Sequence, residues 1–339
     1  MGLLKVTGTV NLSQFWPHGD SDADTTKVIL STSADAFEFQ PHSDVPFKVT
    51  HAFEDAKVIG AVSKQVIDNK GRITIRLQGI DAPELHYRPT PIPKKLNPTL
   101  EQRDRFKELN KAYRQHFGET ATVKLYDLLS RGDNEELSCI VTTAVDSPND
   151  VFDTYGRFIG DLIVERSGEQ INVNHWLVRE GLAFPTFYTS MSSEEIEAYI
   201  DAAEQGSKKK KSIWTNLLTN LGKFDRTLVY RGKNATPDPE ADMGSLLFPK
   251  LFRRFCTWTI YRKIEIVSST FQRYLKDKRE ACYLTEEFLE HGIASATPHF
   301  LDEFVKSKGK IEVQPEQLVF NEAQSKLVNS TTGRPITEW

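Results

Sequence analysis

Apolar residues recur with a period of two through much of the first half of the chain, and this limits that half to a strand-based fold. In Arg72 to Gln78, Ile73, Ile75 and Leu77 alternate with Arg72, Thr74 and Arg76. A strand places those two sets on opposite faces, one for a core and one for solvent or a site. Leu4 to Leu12, Thr25 to Ser31, Lys57 to Ile67, Ala121 to Tyr126, Leu137 to Thr143 and Arg157 to Val164 carry β-branched or alternating apolar residues too and are predicted as strands. Helical spacing replaces alternation in Leu100 to Phe117, at Phe106, Leu109, Ala112, Tyr113 and Phe117, between Pro98-Thr99 and Gly118 as start and stop signals. Two further helices are predicted at Val173 to Glu180 and Ser193 to Gln205. The second can be capped by Ser192, with Glu195 three residues on.

The segments 35–55, 88–98 and 130–153 are polar or rich in Pro, Asn and Asp and read as surface loops or hairpin extensions. Residues 231–241 read as a linker that separates a domain over 1–230 from a smaller α+β module over 242–339. In that module Leu246 to Lys276 has an aromatic-rich helical pattern, Pro298 to Lys306 a second helical patch, and Lys310 to Phe320 a strand-like run. Phe248, Phe252, Phe255 and Trp258 fall near one helical face and read as core. Arg253, Arg254, Arg262, Lys263 and Arg273 leave docking on the first domain, a protein partner or nucleic acid as roles for the module.

A net charge of -4 and a pI near 6.1 exclude a protein that holds nucleic acid by bulk positive charge, so any such role rests on a local site. The run Lys208 to Lys211 reads as a solvated face. Three scattered cysteines, Cys139, Cys256 and Cys282, suggest neither a disulfide framework nor a zinc site. The start Met1-Gly2-Leu3-Leu4-Lys5 lacks a signal-peptide pattern, and no stretch reaches the roughly 18 apolar residues of a membrane span. The expectation is a soluble protein of the cytoplasm, without a membrane partner and with export by another route left open.

Three segments carry potential chemistry. Asp20-Ser21-Asp22-Ala23-Asp24 is a dense set of carboxylates suited to a hard cation, although it lacks the glycine and distal glutamate of an EF-hand. Arg76-Leu77-Gln78-Gly79-Ile80-Asp81-Ala82-Pro83-Glu84 places a guanidinium in a strand and two carboxylates on the turn that ends it. A charge at Arg76 needs either a salt-bridge partner or an anionic ligand. Pro83 restrains the backbone so that one carboxylate can bind a metal while the other orients water. Asp153-Thr154-Tyr155-Gly156-Arg157 is a tight turn that delivers a second Arg to the start of a strand. Two guanidinium groups can bind phosphodiester oxygens bidentately and neutralise charge that develops during hydrolysis.

Taken together, the three segments resemble the staphylococcal nuclease (thermonuclease) family, whose signature runs Asp-Gly-Asp-Thr, then Arg followed by Asp-Thr-Pro-Glu, then Tyr-Gly-Arg. Similarity continues through Asn172-Val173-Asn174, Leu177 to Ala183 and Ser212-Ile213-Trp214, covering about residues 1–215. The resemblance implies an OB-like five-stranded β-barrel with three helices, followed by the C-terminal module. It implies a calcium-dependent nuclease for DNA or RNA, single-stranded or flexible. Asp24, Asp81 and the Ala82 carbonyl would ligate one Ca2+, with Asp22 supporting them from behind. Glu84 would position or deprotonate water, Arg76 and Arg157 would hold the scissile phosphate, and Tyr155, Phe187 and Tyr188 would stack on bases or sugars. Ala23 stands where the family has Gly, which is harmless only at negative φ. Ala82 stands where the family has Thr, and the basic surface of the secreted members is absent. The alternative is a barrel of the same type that binds nucleic acid or protein without cutting. A zinc site built from His18, His42, His51 or His86 is disfavoured, since these lie in polar loops without ligand spacing.

Overall fold

The computed structural model describes residues 2–31, 36–42, 44–130, 136–323 and 325–339. Residue 35 of the loop expected at 35–55, with Ser43, and residues 131–135 of that expected at 130–153, lie outside the described residues. The chain forms two compact units, one of residues 1–78, 122–177 and 322–339 and the other of residues 79–121 and 178–321. The unit boundaries do not coincide with a cut at 231–241.

The first unit holds a closed five-stranded mixed barrel. Its strands are β1 (Gly2–Asn11), β2 (Thr25–Leu30), β3 (Arg72–Leu77), β4 (Glu136–Val145) and β5 (Phe158–Arg166). β1 pairs antiparallel with β2 and β4, β2 antiparallel with β3, β3 parallel with β5, and β5 antiparallel with β4, which closes the circuit. Closure removes the open edges that a five-stranded sheet would otherwise present. The alternation resolves as the period of two requires: Leu4, Val6, Val10, Val28, Ile73, Ile75, Leu77, Val141, Leu162 and Val164 are all buried. Further strands lie outside the barrel, among them Phe37–Gln40 against β1 and Glu169–Asn172 against β5. The segment expected as one strand at 57–67 is a hairpin of Ala56–Ile59 and Ser63–Gln65, and Lys326–Asn329 adds to its other edge. Fully buried Asn174 fastens the ends of β3 and β5: its amide donates to the carbonyls of Gln78 at 2.9 Å and Gly160 at 3.2 Å, and its oxygen accepts from the Leu162 amide at 3.1 Å.

The second unit contains the short pairing of Ile80–Asp81 with Phe184–Pro185 and a four-stranded sheet ordered Phe187–Tyr188, Leu318–Phe320, Ala281–Leu284 and His299–Phe300. Around these pack helices that include Leu100–Leu109, Ser193–Ser207, Pro249–Lys263 and Phe271–Lys278. One aromatic-rich core joins Phe106, Phe117, Phe184, Phe252, Phe255 and Phe271. Gly79 opens this unit at φ +70, with the Tyr199 ring so close that an added Cβ would meet it at 2.4 Å, so only glycine fits there.

Several local expectations are corrected. Ala121 to Tyr126 belongs to the helix Gly118–Leu129 rather than to a strand. Ala121, Leu125, Leu128 and Leu129 are its buried apolar positions, spaced i, i+4, i+7 and i+8. The helix expected to reach Phe117 stops at Leu109 because the next residues bond sideways. The Tyr113 amide donates to the Tyr87 carbonyl at 2.8 Å and the Tyr230 amide to the Ala112 carbonyl at 2.8 Å. The long 246–276 helix is two helices separated at Glu265, which has φ +59, and Thr270 caps the second by accepting from the Arg273 amide at 3.3 Å. Pro298 to Lys306 forms the strand His299–Phe300 and a 3-10 turn, and only Leu318–Phe320 of the expected 310–320 strand is regular.

Candidate phosphodiester site

The polar face of β2 and β3 builds the first part of the site. Thr25 lies opposite Arg76, and Lys27 opposite Thr74, while Thr26, Val28, Ile73 and Ile75 point the other way and are buried. Arg76 donates to the Asp24 carboxylate at 2.7 Å, and the other Asp24 oxygen accepts from the Thr25 hydroxyl at 2.9 Å. That hydroxyl in turn accepts from Arg157 at 3.2 Å. Two guanidinium groups are thus linked through Asp24 and Thr25. In the parallel pairing Ile159 lies opposite Arg76, which brings the head of β5, and Arg157 just before it, to the same end of the barrel.

The turn that presents Arg157 is closed by Asp153. One of its oxygens accepts from the amides of Tyr155 and Arg157, both at 2.9 Å, and the other pairs with the Arg157 guanidinium at 2.6 and 2.7 Å. Gly156 sits at φ +71, so the Tyr-Gly-Arg order follows from backbone geometry. Tyr155 is 57% exposed, with the Arg157 guanidinium 5.6 Å from its ring centre, and is therefore able to stack on a ligand. Asp22 turns to the backbone: its carboxylate accepts from the Thr25 amide at 2.9 Å and holds the turn before β2. Ala23 is buried and has no positive φ, so glycine is not required there.

Lys27 and Lys64 extend this face and were not singled out from the sequence. Lys64 donates to the Thr74 hydroxyl at 2.9 Å. Burial, and then the nearby Lys27, lower its pKa. Lys27 was legible in principle, two residues after Thr25 on the same strand face, but Lys64 arrives from a hairpin that no local pattern ties to β3.

Asp81 and Glu84 lie in the second unit. Pairing of Asp81 with Phe184 fixes the start of their turn. Buried Gln115 fixes its end by accepting from the Glu84 amide at 3.1 Å and donating its own amide to the Glu84 carbonyl at 2.7 Å. Its side-chain amide also donates to the Leu247 carbonyl at 2.7 Å, just before the helix Pro249–Lys263. From that helix Arg253 reaches both acids. Its two terminal nitrogens donate to the two Asp81 oxygens at 3.1 and 2.8 Å, and one of them also donates to Glu84 at 2.5 Å. Burial works against the Arg253 charge, but Asp81 and Glu84 outweigh it and raise its pKa well above the ordinary value. The next residue, Arg254, pairs with Glu280 at 2.6 and 2.5 Å. Lys250 places its ammonium 3.7 Å from the Phe320 ring centre and 5.7 Å from that of Tyr188, and burial brings its pKa down to about 8.

Phe187 is fully buried in its pairing with Val319 and so offers no ring face to a ligand, whereas Tyr188 is partly exposed. Ala82 is buried. Calcium requires six to eight oxygen ligands. Both oxygens of Asp81 and one of Glu84 already accept from Arg253, and a calcium ion bound to them would sit against that guanidinium. Among the described residues no group of three or more His, Cys, Asp or Glu is arranged to hold a metal. With Arg253 so placed, the residues do not fit the calcium ion that the resemblance implies.

No described helix is long and apolar enough to cross a membrane. Lys209 and Lys211 of the basic run pair with Glu180 and Glu240 as ordinary surface ion pairs. No curated protein matches the chain by sequence. The family model of staphylococcal nuclease homologues matches residues 74–216, a span that contains Arg76, Asp81, Glu84, Tyr155 and Arg157 and begins after Asp24. Over residues 74–216 the chain is thus similar to the staphylococcal nuclease homologues, and the barrel strands β1 and β2 lie before that span.

Proposed function

We propose that the chain binds the phosphodiester backbone of DNA or RNA in a single-stranded or flexible form and hydrolyses it. The observation that carries this reading is the linkage of Arg76 and Arg157 through Asp24 and Thr25 on one polar barrel face. Two fork-shaped cations held at fixed spacing suit the oxygens of a phosphate better than mobile lysines would. Tyr155 then stacks on a neighbouring base or sugar. In hydrolysis a water oxygen forms a bond to phosphorus while the bond to the leaving ester oxygen breaks. In the role the resemblance gives it, Glu84 orients the water and takes its proton, and the leaving oxygen gains a proton from solvent. Arg76 and Arg157 neutralise charge on the phosphoryl oxygens as it grows.

A second reading is a binding module that does not cut, and the engagement of both Asp81 and Glu84 by Arg253 favours it specifically. Labelled single-stranded DNA and RNA, incubated with the full chain in calcium and in excess chelator beside Glu84→Gln, separate the two. Cutting that Glu84→Gln loses while it still binds supports hydrolysis. Binding without cutting under every condition favours the module. Absence of binding by the folded chain overturns both.

A further inference from the structure

We propose that Arg253 is a tethered cation that takes both carboxylate oxygens of Asp81, and one of Glu84, in place of a metal ion, so that the intact chain has no calcium site at Asp81. A guanidinium has five N–H groups, of which two on one terminal nitrogen meet Asp81 and Glu84 and one on the other meets the second Asp81 oxygen. The Asp81 side chain is 2% exposed. Both of its oxygens are taken, which leaves a soluble ion neither room nor a bidentate ligand.

Arg253 is held in place rather than draped. Its helix buries Leu251, Phe252, Phe255, Ile260 and Tyr261 in the core of its own unit. Tyr261 donates to the Thr90 and Pro91 carbonyls at 3.0 Å. Gln115 joins the Glu84 turn to Leu247 at the foot of the same helix. Acids and cation therefore belong to one packed body, and the effective concentration of Arg253 at Asp81 exceeds what free calcium attains. The guanidinium also keeps two N–H groups that no described side chain or carbonyl accepts, on a side chain 27% exposed. That edge can meet an anion, which a calcium ion in the same seat would do through its open coordination positions.

The test is calcium binding to the full chain by calorimetry, with melting temperature measured in calcium and in chelator, and no nucleic acid present. The wild type should show no saturable calcium site that Asp81→Asn removes, and calcium should leave its melting temperature unchanged. Arg253→Met uncovers the acid pair. It should melt lower in chelator, recover in calcium, and show a saturable calcium site that the wild type lacks. Adding Asp81→Asn to Arg253→Met should abolish that recovery. One equivalent of calcium bound by the wild type and lost in Asp81→Asn would overturn the proposal, even if Arg253→Met failed to fold. These readouts are independent of nucleic-acid binding at Arg76 and Arg157, so this proposal and the functional reading can fail separately.

Discussion

Replacing Arg157 by Met should weaken nucleic-acid binding far more than it weakens the fold, and the turn geometry shows why the two effects separate. Asp153 closes the turn by accepting backbone amides from Tyr155 and from residue 157 itself, and the second of these amides survives any non-proline substitution. What the change removes is the guanidinium, its pairing with Asp153 at 2.6 and 2.7 Å, and its bond to Thr25 at 3.2 Å. The Asp153 pair is i,i+4, with side chains 28% and 17% exposed, and such near-surface pairs contribute roughly 0.2–1 kcal/mol. A charge-assisted bond to a phosphate oxygen contributes about 1.5–3 kcal/mol, which corresponds to roughly 10- to 150-fold in Kd. The assay is fluorescence polarisation of a short labelled single-stranded oligonucleotide at one fixed salt concentration, with urea unfolding of the same preparations. Arg157→Lys should recover only part of the loss, since an ammonium supplies charge without the planar fork. A folded Arg157→Met protein whose Kd stays within about twofold of wild type would refute the assignment of phosphate to this guanidinium, because binding losses that small are ordinary for a surface change.

Two further outcomes follow from buried groups. Asp242, which is 1% exposed, holds Arg114 at 2.5 Å and accepts from the amide and hydroxyl of Thr120 at 3.0 Å each, beside a bond between Arg231 and Glu119. Asp242→Ala should therefore cost about 3–5 kcal/mol in urea unfolding, as expected when one partner of a buried pair is removed, while Asp242→Asn, which keeps an acceptor for Thr120, should cost less. The three cysteines are buried, and burial pushes the thiols of Cys139 and Cys282 up to about 12 and that of Cys256 higher. Since only the thiolate reacts, and raised pKa values keep these groups protonated near pH 8, a disulfide reagent at that pH should label none in the native chain and all three after denaturation; rapid labelling of the native chain would contradict their placement.

The barrel was legible because its signal is local. Ile73, Ile75 and Leu77 must share a face whatever the rest of the chain does, and that assigns Arg76 to the opposite face. The turn at Asp153 was legible for the same reason, since Gly156 at φ +71 and the capping carboxylate lie within five residues. Ala121 to Tyr126 misled because Ala121, Val123 and Leu125 alternate while Ala121, Leu125, Leu128 and Leu129 also fit a helix. The choice between the two readings is made by packing, which a short window does not contain. Phe187 and Tyr188 are adjacent and chemically alike, yet their pairing with Val319 and Phe320 buries one ring and leaves the other partly exposed. Arg253 was seen only as one of several cations on an aromatic helix, because 169 residues separate it from Glu84 and no local pattern links them.

The position of Arg253 also changes what the motif itself can be taken to mean. An intact Asp81-Ala82-Pro83-Glu84 would speak for catalysis if a barrel without chemistry had no use for two carboxylates on one turn. Here they have a use that needs no substrate. With Arg253 anchored on a packed helix, removing Asp81 would leave a guanidinium with much of its pairing gone, and breaking such a pair costs about 3–5 kcal/mol where it is buried. The acids can therefore be required by stability alone, and their presence no longer separates a nuclease from a binding module. The Arg76–Asp24 and Arg157–Asp153 pairs differ in kind. Each cation there already has its own carboxylate, yet Asp24 and the Thr25 hydroxyl link the two at a barrel end that also gathers Lys27 and Lys64. Stability does not call for that concentration of positive charge in a chain of net charge -4, whereas an anionic ligand does.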